Sequence, residues 1–155
     1  MKSYRFVITL LLSLALFGCE KQKTPHPPKS LEDMHSCQHN KEWSTKSLRD
    51  SLVGKWRWLY TQNFWAPEAA HYTTNQELFI RFRSDSLLHV TAQGDTLHTT
   101  KWQVILNRND SYELGLQEPH QYLYGNILIC EDLLLFNNSY VDGSDNFFER
   151  IQPSP

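Results

Sequence analysis

The sequence predicts an all-β fold, an eight-stranded antiparallel up-and-down barrel, and three observations carry that prediction. From Leu48 onward, short runs of β-branched, aromatic and leucine residues recur roughly every 8 to 12 positions. Turn-forming Gly, Asn, Asp and Pro stand between the runs. No segment of helical period extends beyond two turns. With 40% hydrophobic and 21% charged residues, the chain of 155 has the apolar content for one core, which excludes wholesale disorder.

The strands read as 52–61, 76–83, 86–92, 96–106, 111–116, 122–129, 133–138 and 146–151. In the first, Trp56, Trp58 and Tyr60 alternate on one face, as a core wall or an aromatic binding surface would. In the second, Leu78, Ile80 and Phe82 oppose Arg81 and Arg83. In the fourth, Trp102, Val104 and Leu106 oppose Lys101 and Gln103. Ser84-Asp85, Gly94-Asp95, Glu131-Asp132 and Asp142-Gly143 supply turns short enough that no long crossover is needed. That favours a closed barrel over a sandwich, because closure removes both unpaired sheet edges. Eight strands leave an interior that side chains fill or that holds one small ligand.

Residues 1–18 read as a signal segment. Lys2 and Arg5 give a positive start, and the 12-residue apolar run 6–17 is shorter than the roughly 20 residues that span a bilayer. Leu16-Phe17-Gly18-Cys19 resembles the lipobox of bacterial lipoproteins, with small Gly18 opening the bond to a peptidase and the Cys19 thiol carrying the lipid. Phe17 departs from that pattern, where a smaller residue is commoner. An acylated Cys19 anchors the chain to a membrane. The expected location is the bacterial cell envelope, at the outer membrane, on either face. Residues 19–47, with Pro25, Pro27, Pro28, His26, His35 and His39 and few large apolar side chains, read as a flexible tether, with one short helix start at Ser30. The folded domain is read as 48–152.

Leu52-Val53-Gly54-Lys55-Trp56 at the start of the domain and Phe148-Glu149-Arg150-Ile151 at its end resemble the lipocalin superfamily, and within it the lipocalin-like lipoproteins of Bacteroidetes-type bacteria. The resemblance implies that Gly54 and Trp56 close one barrel end and that Arg150 packs across the indole. A guanidinium over an indole face contributes about 0.5 to 2 kcal/mol. It also implies that the 63–75 loop, with Phe64, Trp65, Pro67, His71 and Tyr72, lies at the open end, as a lid or as a loop packed on its own barrel.

Charge and reactive side chains narrow the function. The formal charge is -2, and setting Lys2 and Arg5 aside leaves 13 basic against 17 acidic residues, which argues against nucleic acid as a partner. His71, His89, His98 and His120 stand on separate elements with no nucleophile and base at a known spacing, so no enzyme is expected. His35-x-Cys37-x-His39 offers three ligands where closed zinc sites use four, so neither a metal nor another cofactor is expected. Cys37 and Cys130 are a candidate disulfide; the alternative is a buried free Cys130 beside an exposed Cys37. A link across 93 residues restricts the unfolded chain by about 4 kcal/mol. Asp50-Ser51-Leu52, Asp85-Ser86-Leu87 and Asp95-Thr96-Leu97 resemble the three-residue O-glycosylation signal of Bacteroidetes-type exported proteins, which makes Ser51, Ser86 and Thr96 candidates; Asp-Ser is also ordinary turn chemistry.

The resulting expectation is a monomeric, lipid-anchored, non-catalytic barrel. It would bind a small apolar or amphipathic molecule against Trp58, Tyr60, Phe64, Trp65, Leu78, Ile80, Trp102 and Tyr112. The alternative is a filled barrel that docks an envelope partner through the 63–75 loop.

Overall fold

The computed structural model describes residues 29–63, 71–72 and 77–151. Two helices, α1 (Leu31–His39) and α2 (Thr45–Leu52), precede nine strands: β1 (Gly54–Gln62), β2 (His71–Tyr72), β3 (Leu78–Phe82), β4 (Leu87–Ala92), β5 (Asp95–Leu106), β6 (Tyr112–Leu116), β7 (Asn126–Cys130), β8 (Leu133–Asn137) and β9 (Asp145–Ile151). From β3 to β9 each strand pairs antiparallel with the next, and β1 pairs with both β3 and β9. Eight antiparallel strands therefore form a closed ring, with the two-residue β2 attached to the end of β1.

Both helices start on capping boxes. The Ser30 hydroxyl accepts from the Asp33 amide while the Asp33 carboxylate accepts from the Ser30 amide, and Ser44 and Ser47 repeat the exchange for α2. Part of the 19–47 segment, expected to be a tether, is thus the helix α1, and 45–52, whose last residue was expected to begin a strand, is helical. The signal for α2 was present, because Leu48 and Leu52 are spaced one turn apart and both are fully buried at the end of the ring.

Inside the ring, alternate residues of the strands meet in one cluster that includes Trp56, Trp58, Leu78, Ile80, Phe82, Leu88, Val90, Trp102, Leu134, Phe136 and Phe148. Leu106, expected to share that face with Trp102 and Val104, lies at the ring's rim and is half exposed. A second cluster sits on the outside: Met34 of α1 packs with Tyr60, Leu128, Cys130, Leu133, Leu135 and Phe147. β8 is consequently buried along its whole length, Leu134 and Phe136 inward, Leu133 and Leu135 outward under the helix.

The aromatic alternation expected in β1 is broken by a bulge. Opposite β9, Trp58 pairs with Phe148 but Tyr60 pairs with Phe147, so one extra residue, Leu59, shifts the register. Trp56 and Trp58 stay inside, and Tyr60 turns to the outer cluster, stacked on Phe147 at 4.7 Å. Burial, with the nearby Asp145 carboxylate, pushes the Tyr60 phenol far above its ordinary range.

The other end of β1 is held by Arg150. Its guanidinium lies 4.1 Å from the Trp56 ring, and its Nη1 and Nη2 donate to the carbonyls of Val53 and Ser51 at the C-terminus of α2. Trp56 Nε1 donates to the Leu52 carbonyl at 2.8 Å. Carbonyls that a helix terminus leaves unpaired are thus satisfied by an indole and a cation. Gly54 is required at this junction: its φ is +143°, and a Cβ there would stand 2.8 Å from Arg150 Nη1.

Replacing Arg150 by Met keeps the stem but strips the carbonyls of their donor and the indole of its cation. Urea denaturation is expected to show a loss of about 1 to 3 kcal/mol. Gly54→Ala should also destabilise, whereas Lys101→Met on the exposed face should stay within about 0.5 kcal/mol of the parent.

Candidate functional site: the loop end of the ring

Of the residues expected to line a ligand cavity, Trp58, Leu78, Ile80 and Trp102 are packed into the inner cluster. Ile80, Leu88, Val90, Leu134, Phe136 and Phe148 have 0% exposure, so no water-sized space touches them from either side of the sheet. These six side chains pack in one cluster, in which Trp58 and Leu78 each keep 6% exposure. Tyr60 lies outside the ring, and Tyr112 is half-buried at its edge, its hydroxyl donating to the Trp43 carbonyl at 2.7 Å. Phe64 and Trp65 lie outside the described residues, as do Cys19 and most of the 63–75 loop.

Hollows bounded by described residues lie on the outer surface. One of about 370 Å³ is enclosed by His35, Gln38, His39, Trp43, Tyr112 and Asn126, between α1 and the start of β6. A shallower one of about 490 Å³ lies over Gly115, where a Cβ would run into Ile105. Leu78 and Ile80 line neither.

The connections after β1, β4, β6 and β8 all emerge at the end of the ring opposite α2. The 138–144 connection is built around Asp145, which is fully buried. Its carboxylate accepts from Asn137 Nδ2 and from the Asn138 and Ser139 amides at 2.8 to 3.0 Å. That pins the 3-10 turn Ser139–Val141 and holds Tyr140 and Val141 outward, 51% and 58% exposed.

The 117–125 connection folds back over the same end. The Glu118 amide donates to Thr100 Oγ1 at 2.9 Å, and Leu123 inserts into the inner cluster. Tyr122 then lies 5.4 Å from the Trp58 ring, and His120 lies between Tyr122 and His98. Tyr124 is left exposed, as is Leu97 beyond the β4–β5 turn. Leu97 of β5 and Tyr124, Tyr140 and Val141 of the connections are thus exposed to solvent at this end. The sequence reading did not single them out, because isolated apolar residues beside turn formers carry no periodic signal.

The other candidate residues separate. Cys37 and Cys130 are joined by a disulfide, with Cα atoms 5.5 Å apart, which ties α1 to β7. Cys37 is therefore no ligand beside His35 and His39, and no group of three or more potential metal ligands occurs among the described residues. Ser51 is half-buried, and its carbonyl receives Arg150. The Ser86 hydroxyl accepts from Arg49 Nη2 at 2.9 Å. Thr96 is exposed, with Asp95 and Leu97 exposed on either side, and of the three offers the freest hydroxyl. No helix among the described residues is long and apolar enough to cross a membrane.

Burial, and secondarily the neighbouring His98, hold the His120 imidazole below its ordinary value of about 6.5. Neutral His120 also accepts from the Tyr122 amide at Nδ1. As pH falls, the unfolded chain takes up this proton before the folded one does. The contribution to stability is therefore complete above about pH 6.5 and is lost between that value and the lower folded-state value. His120→Gln is expected to flatten the pH dependence of the urea midpoint in that window, with the difference from the parent isolating this group.

Compared with known proteins, the chain matches no family model, no curated protein and no solved structure.

Proposed function

We propose that this protein is a lipid-anchored lipoprotein of the bacterial envelope with a lipocalin-like barrel, non-catalytic, whose filled interior makes it a docking scaffold rather than a carrier. The observation that supports this reading over a ligand carrier is the zero exposure of Ile80, Leu134, Phe136 and Phe148 at the centre of the ring. A carrier needs a preformed space of about 300 Å³ or more lined by apolar side chains. Side chains that already touch one another there give a ligand nothing to displace except packing. The lipocalin-like reading is supported by Gly54, Trp56 and Arg150, which meet at one end of a closed eight-stranded ring. Docking falls to the loop end, where Tyr124, Tyr140 and Val141 are exposed on connections fixed by buried hydrogen bonds. Fixed aromatic side chains lose little freedom on binding, which suits them to an apolar patch on a partner protein.

Two experiments test the parts separately. Growth with a labelled fatty acid is expected to mark the chain and Cys19→Ser to abolish the label; an unlabelled parent chain overturns the anchor. A photocrosslinking residue at Tyr140 should trap one envelope protein stoichiometrically, and Val141→Asp should abolish the product without changing the urea midpoint by more than about 0.5 kcal/mol. A small molecule released on denaturing the protein purified from its own envelope would overturn the filled-ring reading.

A further inference from the structure

The two sulfurs of the Cys37–Cys130 disulfide stand in unequal surroundings. Cys37 is half-buried near the end of α1, whereas Cys130 is 1% exposed in β7. Lys29 Nζ lies 3.1 Å from Cys130 Sγ, and the same ammonium lies 3.1 Å from a carboxylate oxygen of the exposed Glu131. An attacking thiolate needs a sulfur it can reach, and the sulfur that leaves does so faster when its thiolate is stabilised. Here the sulfur of the more exposed residue and the sulfur beside the ammonium are different atoms, and each favours the same direction of attack.

We propose that this disulfide is a polarised thiol-exchange site that acts as a clasp on α1, with dithiols as the reacting class. A dithiol's thiolate attacks Cys37 Sγ, forming a mixed disulfide as the Cys37–Cys130 bond breaks. Cys130 leaves as the thiolate beside the Lys29 ammonium. The second thiol of the reagent then attacks the mixed disulfide and releases Cys37; the reagent is oxidised to its disulfide, the protein gains two electrons, and the protons lost by the reagent end on the two cysteines.

What the clasp holds follows from the packing. Met34 is the fully buried side chain of α1, with Leu31 and Cys37 partly buried beside it and Gln38 Oε1 accepting from the Ile129 amide. Burying one side chain offsets only a fraction of what ordering a nine-residue helix costs. Once the covalent link is gone, α1 leaves the outer cluster of Tyr60, Leu128, Leu133, Leu135 and Phe147.

The test uses the full chain carrying Cys19→Ser, so that only this disulfide can exchange. Reaction with glutathione, quenched by acid and mapped by peptide mass, is expected to place the adduct on Cys37, at a rate proportional to thiol concentration. Lys29→Met should slow the exchange about threefold to tenfold, Lys29→Arg should restore most of it, and Glu131→Gln, which frees the ammonium, should speed it. In the fully reduced protein, amide hydrogen exchange should show α1 unprotected while β3, β4 and β5 keep their protection. An adduct on Cys130, a rate independent of thiol concentration, or no effect of Lys29→Met overturns the polarised site. Retained protection of α1 after reduction overturns the clasp.

Discussion

β1 pairs with β3 over Gly54–Arg57 along one edge and with β9 over Lys55–Gln62 along the other, and this double pairing joins the beginning of the sheet to its end. A sheet with two free edges exposes rows of unpaired amides and carbonyls, and closure satisfies both rows at once. The inner cluster joins strands from around the ring, since Trp56 and Phe148 share it with Leu88 and Trp102 of β4 and β5, which pair with neither β1 nor β9. Arg150 works at the same seam, stacked on Trp56 while it holds the end of α2 over the ring.

A second constraint comes from β7 and β8. Ile127-Leu128-Ile129-Cys130 and Leu133-Leu134-Leu135-Phe136 are apolar without alternation, so a ring that buries only one face leaves Leu128, Leu133 and Leu135 in water. α1 supplies the missing cover, and the bulge at Leu59 rotates Tyr60 to join it. A nine-residue helix with one fully buried side chain is a weak lid by itself. The disulfide and the Gln38 bond to the Ile129 amide hold it where the apolar outer face needs it.

Phe136 and Phe148 meet edge to face inside the ring, and Leu123 of the 117–125 connection joins their cluster. The same packings leave the loop end as a place where apolar side chains meet solvent. There the buried Asp145 carboxylate and Thr100 hydroxyl act as internal struts, so that exposed Tyr140 and Tyr124 are carried by short, hydrogen-bonded connections.

Several features were legible in the sequence because each is local. The strands from 76 onward followed from alternation and turn chemistry, and their observed bounds differ by a few residues; the exception is 122–125, read as strand start, which is a turn because Leu123 folds into the core. The pairing of Trp56 with Arg150 was implied by the resemblance to lipocalins, and that of Cys37 with Cys130 was one of two readings of the cysteines left once Cys19 is set aside. The tertiary structure alone decided which face each aromatic takes, because one inserted residue at Leu59 reverses every side chain beyond it. It alone decided that 31–39 is a covering helix, since the need for cover arises in strands almost a hundred residues away. Whether eight strands enclose a cavity or a solid core depends on how side chains from all of them interdigitate, a property of summed volume that no single stretch of sequence contains.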